Sequence, residues 1–169
     1  MPVSAPADPP PSLRAAMRQL AGGVSLVTVG EGEARRGFTA TSVTSLTLEP
    51  PCILVCVNRR VSALPLILER RRFGVSLLSD AQRPLAVRFS GTTGVSGGAR
   101  FAEGRWSDAE PAVPLLEDGL AAVACDLEET VERHSHTILI GAVTAVRLGG
   151  PGAPLIYAQG AYGRFAMEG

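Results

Sequence analysis

Apolar residues recur along the chain with two different periods, and the change from one to the other marks its elements. Leu13, Ala16, Met17 and Leu20 stand at i, i+3, i+4 and i+7 behind Ser12, a residue type whose hydroxyl caps helix N-termini, and Gly22-Gly23 stops the pattern. A short helix is predicted there. From Val24 the period is that of strands: residues 24–29, 38–45, 46–49 and 52–57, divided by a polar turn over 30–37 and by Pro50-Pro51. Their order predicts a β-meander. Two more short helices are expected, one from Ser62 through Leu64, Ile67 and Leu68, the other at Ser79-Asp80-Ala81-Gln82, whose spacing suits a reciprocal cap. Further strands are expected at 73–78, 120–128, 137–147 and 155–157, with a terminal stretch at 162–165 that can pair or dock. Residues 90–100, small and glycine-rich, read as a mobile surface loop of the kind that covers sites.

Many short strands, few helices and closely spaced turns predict a mainly β chain, a closed or partly closed antiparallel barrel. The pattern argues against a doubly wound α/β sheet, because no G-x-G-x-x-G follows a strand and helices do not alternate with strands. Residues 1–11 hold five prolines and are expected to form a disordered or arm-like segment ahead of a single domain over 12–169. A domain of this length buries roughly 70% of its unfolded surface, so neither a disulfide nor a structural metal is needed.

Composition narrows the chemistry. The 16 basic residues balance 16 acidic ones, so there is no electrostatic footprint for nucleic acid or for an anionic membrane. All the basic residues are arginine, which removes every lysine-based mechanism and leaves guanidinium, hydroxyl and backbone N–H to meet an anion. The longest unbroken aliphatic run, 52–57, is too short to span a bilayer, and no signal-type segment opens the chain. Cys52, Cys56 and Cys125 lie in apolar runs without a C-x-x-C pair and read as free thiols of a cytoplasmic, reducing compartment.

No nucleophile elbow, metalloprotease motif or paired-carboxylate spacing is present. His134 and His136, read as i and i+2 of one strand, would share a face, but nothing nominates a third ligand and no metal site is assigned. The segment from Gly37 to Thr47 is denser in chemistry, with six Ser or Thr in eleven residues. Alternation places some of them on a solvated face. The adjacent pairs Thr41-Ser42 and Thr44-Ser45 point both ways, however, so inward hydroxyls need partners that a polar planar ligand would supply. Downstream, Asn58-Arg59-Arg60-Val61-Ser62 is either an anion site at a helix start or an ordinary surface turn.

Five blocks in order, GFTATSVTSLTLEPPCILVCVNRRVSALPLI, FGVSLLSDAQRPLAVRFSG, RFAEGRW, HTILIGAV and PLIYAQGAYGRF, resemble the flavin reductase family. These are the small components of two-component flavin-dependent monooxygenases. The resemblance runs from Leu13 to Phe165. It implies an antiparallel Greek-key split β-barrel that binds FMN or FAD, uses NADH or NADPH, and hands reduced flavin to a separate flavin-dependent oxygenase. An FMN-binding electron-transfer or carrier protein is the alternative. A homodimer is also implied, and the apolar stretches 120–127 and 137–146 carry hydrophobic residues on more faces than one small barrel interior needs.

The same resemblance implies roles for single residues. Thr39, Ala40, Thr41 and Ser42 line the isoalloxazine ring, while Ser45, Asn58, Arg59, Ser62 and Ala63 hold the ribityl-phosphate. Arg88 and Phe89 close over the flavin, His136 faces the nicotinamide, and Tyr157 and Tyr162 flank the pocket. Thr41 stands where asparagine is common and Ala63 where threonine is frequent, and Ala158, Gln159 and Ala161 replace frequent basic residues. Hydride transfer between two cofactors needs no protein nucleophile, which agrees with a chain that offers none.

Overall fold

The computed structural model describes residues 12–165; the proposed arm over 1–11 lies outside the described residues, as do the last four positions. The first half contains α1 (Leu13–Met17), β1 (Gly22–Gly23), β2 (Ser25–Val29), β3 (Arg36–Ala40), β4 (Val43–Leu48) and β5 (Pro51–Asn58). It continues with α2 (Ala63–Arg70), β6 (Arg72–Leu77) and α3 (Arg83–Phe89). After a 3-10 helix over Gly97–Ala102 the remaining elements are strands: β7 (Trp106–Glu110), β8 (Val113–Leu116), β9 (Ala121–Arg133), β10 (His136–Leu148), β11 (Leu155–Ala158) and β12 (Ala161–Arg164). Ser12 caps α1, its hydroxyl accepting from the Ala15 N–H at 3.2 Å. The Ser79–Gln82 cap also forms, with the Ser79 N–H donating to Gln82 Oε1 at 2.7 Å.

Seven strands make one antiparallel sheet in the order β3-β2-β6-β9-β10-β5-β4. This corrects the meander: β3 and β4, consecutive in the chain, occupy opposite edges, and β5 pairs with β10 rather than with its predecessors alone. In a flat sheet those edges would stand about 29 Å apart, six strand spacings of roughly 4.8 Å. Yet Ala40 and Val43 are joined through Thr41 and Ser42 alone, a reach of at most about 11 Å. The sheet must therefore curl until its edges meet, and the curl makes the barrel. A smaller sheet, β1-β11-β12, sits beside the seam.

The interior is filled by side chains that are wholly buried, among them Val27, Val29, Val55, Val57, Phe73 and Leu139. A second apolar cluster lies under α3. There Phe89 meets the Phe101 ring edge-on at 5.0 Å and Trp106 at 5.6 Å, and Leu26, Leu78 and Leu155 close the cluster. The hairpin β7–β8 was not foreseen, because Pro111 and Pro114 argue against a strand. Its place is set by close approach. A Cβ on Gly74 of β6 would come within 2.8 Å of Val113, Leu115 and Thr28, so only glycine lets β8 lie against the sheet. Two buried hydroxyls then bind it: Thr28 Oγ1 donates to the Pro114 carbonyl at 2.6 Å, and Ser76 Oγ accepts from the Leu116 N–H at 3.0 Å.

Two further expectations change. The loop over 90–100 is cross-tied rather than loose: Arg100 donates to the Gly37 carbonyl at 2.7 Å, and Arg88 to the Ala99 carbonyl at 2.7 Å. His134 does not share a strand face with His136, since it occupies the turn between β9 and β10 at a φ of 50°.

Phe89→Ala should cost about 3–5 kcal/mol through lost burial and the cavity left behind. Urea denaturation measures it, and an unchanged midpoint would contradict this account of the α3 cluster. Cys125 gives a pH test. Burial, reinforced by Cys52 and Asp126, pushes its thiol up to about 12. Because that lies above the unfolded value of about 8.5, the associated stability is fully present below that pH and is lost as pH rises towards the folded value. Cys125 should react with an aromatic disulfide reagent at pH 8 only at the rate of global unfolding.

Candidate functional site

The seam that closes the barrel is also where the hydroxyl-dense segment lies. Thr39 Oγ1 donates to the Ala86 carbonyl of α3 at 2.6 Å, and Ser42 Oγ donates to the Cys56 carbonyl of β5 at 2.8 Å. The inward hydroxyls thus have backbone partners and need no ligand to satisfy them, though each oxygen keeps lone pairs for a further bond. Thr41 is exposed between them. Thr44, Ser45 and Thr47 follow the solvated-face account, standing exposed along the β4 edge. Ala40 is buried and paired with Ser25, so it contributes backbone only.

Thr41 faces a cleft in two parts, about 580 and 360 Å³, which share Thr41, Tyr157 and Gly160. Both volumes fall in the range of small-molecule sites, roughly 300–1,000 Å³. The larger part has α1 and its following turn as one wall, through Arg14, Met17, Arg18 and Leu20, and Thr41 with Ser42 as another. The smaller runs from Thr39 and Thr41 past Val87, Ser90 and Thr92 to Tyr162. Tyr157 and Tyr162 meet edge-on with ring centroids 5.1 Å apart. Burial first, then Tyr157, pushes the Tyr162 phenol up, against a smaller opposing effect of Arg83, so it remains a neutral donor at physiological pH.

Thr39, Thr41, Ser42, Tyr157 and Tyr162 are thereby brought together. Arg88 and Phe89 are not part of this lining. Phe89 is in the core, and the Arg88 guanidinium is spent on the Ala99 and Arg100 carbonyls and on Glu103. Val87 and Ser90, offset around the same helix, face the cleft instead. Ser45 points to solvent along β4, away from both parts.

The turn after β5 forms a neighbouring group. Asn58 is paired with His136 across β5 and β10, two residues beyond the Cys56 carbonyl that holds Ser42. Its Oδ1 accepts from the Arg60 N–H at 3.0 Å, and the exposed Arg59 guanidinium lies 3.7 Å from Glu132. Ser62 begins α2 without a side-chain cap bond, and Ala63 is fully buried. His136 is exposed with Nδ1 2.9 Å from Ser135 Oγ. Among the described residues no three metal-ligating side chains converge, and no helix is long and apolar enough to cross a membrane.

Sequence reasoning missed the contribution of α1. The helix itself was legible, but its apolar spacing pointed to a packed face, whereas none of its residues is buried. The available signal was the pair Arg14 and Arg18 within a stretch, 12–30, that contains no carboxylate.

Apolar and aromatic walls, hydroxyls at a closed seam and guanidiniums on one side suit a planar ligand with a polar edge and an anionic tail. Comparison with known proteins agrees. Residues 17–166 match the family model for the flavin reductase like domain. FMN reductase (NADH) RutF of Variovorax paradoxus is 35% identical over 161 residues, covering 95% of this chain and 88% of that protein. RutF 2 of Rhizobium rhizogenes is 37% identical over 160 residues, covering 92% and 91%. Among solved structures, the NADH:FAD oxidoreductase of Streptomyces globisporus C-1027 in complex with NAD and FAD fragments superposes with a TM-score of 0.82 at 30% identity, over 91% of each chain. The flavin reductase component of a bacterial two-component tryptophan halogenase superposes at 0.83 and 29% identity, over 92% and 98%. With the curled antiparallel sheet, its hydroxyl-lined seam and these likenesses in agreement, the chain belongs to the flavin reductase family and has its split β-barrel fold.

Proposed function

We propose that the protein is an NADH-dependent flavin reductase that reduces FMN and delivers it to a separate flavin-dependent oxygenase component. The observation that carries the reading is the cleft at the seam, where the Thr39–Ser42 block, two tyrosines and an apolar helix face surround a space of ligand size. The residues present fit a flavin. Met17, Leu20 and Tyr157 offer apolar surface to a ring system, and Thr41 and Ser42 offer oxygens to its polar edge. The group supplies N5 as acceptor of the hydride that leaves nicotinamide C4.

The chain's own residues bind and orient. Thr41 and Ser42 fix the ring edge, and Thr41, a hydroxyl where asparagine is common, changes one hydrogen bond there. The Asn58–Ser62 turn, which includes Arg59, receives the ribityl-phosphate, and buried Ala63 lets that turn pack closely. His136 positions the nicotinamide, and the neutral phenol of Tyr162 donates without changing charge. Arg88 and Phe89 act from behind, holding α3 and the 90–100 segment so that Val87 and Ser90 form the wall.

We infer further that the protein is a cytoplasmic homodimer. Three free thiols suit a reducing compartment. Leu46, Leu48, Val146 and Leu148, between 52% and 85% exposed on β4 and the end of β10, are apolar surface that a second copy would cover. A monomeric mass by light scattering with flavin present would refute the dimer.

Steady-state oxidation of NADH and NADPH, each with FMN, FAD and riboflavin, tests the function. The expected result is turnover with NADH and FMN. Flavin binding without NADH oxidation would instead identify an electron-transfer or carrier protein. Ser42→Leu should weaken flavin binding about 5- to 150-fold, from roughly 1–3 kcal/mol of lost polar partnership plus steric exclusion. His136→Ala should raise KM for NADH or lower turnover, by up to about 100-fold, with flavin affinity little changed. His134→Ala should be nearly silent, and the reverse pattern would place the nicotinamide elsewhere.

A further inference from the structure

The turn between β11 and β12, Ala158-Gln159-Gly160-Ala161, carries no cation of its own, yet a guanidinium stands over it. Arg18, directly after α1, donates from Nη2 to the Gln159 carbonyl at 3.3 Å. The Gln159 N–H donates to the Arg18 carbonyl at 2.7 Å, and Gln159 Nε2 donates to Gln19 Oε1 at 3.1 Å. Gln159 and Gly160 adopt φ of 54° and 85°, a tight hairpin turn that favours glycine, and any side chain at 160 would run into the guanidinium. The turn is a seat for Arg18.

The charge around this seat is one-sided. Arg14 and Arg18 both line the larger part of the cleft. Neither has a carboxylate within ion-pair distance among the described residues. The stretches that build the cleft, 12–30, 34–48 and 153–165, contain no Asp or Glu, although the chain as a whole is neutral. Core packing does not decide where α1 sits: Leu13 is 76% exposed, Leu20 66% and Met17 52%. The polar bonds to Gln159 hold its end, and the arginines are left over an open apolar space.

We infer that Arg18, assisted by Arg14 and latched by Gln159, binds the pyrophosphate of the dinucleotide co-substrate. This rests on the reductase reading. Nucleotide phosphate is the ligand chemistry, and position selects its source. The Asn58–Ser62 turn proposed for the flavin phosphate lies on the β5 side of the seam, where Ser42 is tied to Cys56. Arg18 is instead tied to the β11–β12 turn through Gln159.

Arg18→Gln and the Arg14→Gln/Arg18→Gln pair test the inference, and both side chains are exposed, so folding is not at risk. Calorimetric titration with NAD+ should show a Kd raised about 10- to 100-fold, as expected for lost charge-assisted hydrogen bonds. KM for NADH should rise in parallel with little change in kcat. Dihydronicotinamide riboside, which lacks phosphate, should be used as well by the variants as by the wild type, and Arg18→Lys should recover most of the affinity. Unchanged NAD+ affinity, or an equal loss with the phosphate-free reductant, would overturn the proposal. So would a loss confined to FMN over riboflavin, which would give the arginines to the flavin phosphate. A wild-type protein that oxidises no NADH with any flavin would remove the reductase reading itself, whereas an active wild type with unaffected variants removes this inference alone.

Discussion

Two residues, Thr41 and Ser42, join strands that stand at opposite edges of a seven-stranded sheet. That short link is the constraint on which the molecule depends. The sheet cannot lie flat, because the chain between Ala40 and Val43 cannot span its width. Curling brings the edges together, encloses the valine- and phenylalanine-filled interior, and leaves the linking residues at a rim where backbone groups are not all consumed by a ladder. Ser42 and Thr39 stitch that rim to β5 and α3. Closure and the cleft at the seam are therefore consequences of the same short connection.

The second layer follows from what a curled sheet leaves open. One face of β6 and β9 is covered by β8, admitted by Gly74 and held through Thr28 and Ser76. On β2 and β3 the cover is α3, whose Phe89 enters an aromatic cluster with Phe101 and Trp106. Arg88 and Arg100 bind the glycine-rich segment to this cluster through backbone carbonyls. Within the conspicuous VRFSG block, Arg88 and Phe89 thus support the wall of the cleft, while Val87 and Ser90 form its surface.

The chemistry asks little of such a scaffold. Where hydride passes between two bound cofactors, the protein need only position rings, exclude water and hold phosphates. A chain with no lysine must do the last with arginine and backbone, and Arg14 and Arg18 line the cleft without an ion pair among the described residues. They reach it from a helix that contributes nothing to the core.

Much of this was legible in the sequence because local patterns carry it. The Ser12 and Ser79 caps and most strand positions follow from residue type and spacing within a few positions. The hydroxyl-dense block and the ordered family motifs marked the seam and the two tyrosines. What could not be read was every feature set by contacts distant in the chain. Strand order depended on closure, which separates β3 from β4. The β7–β8 hairpin overrides its prolines because Gly74 offers a place to lie. His134 leaves the face of His136 because the β9–β10 turn falls on it. Residue type and spacing alone determined which segments could be helix or strand and which residues could bind. Only the tertiary structure decided that Phe89 is core, that Val87 is wall and that Arg18 meets Gln159, because a side chain's surroundings are set by elements far from it in sequence.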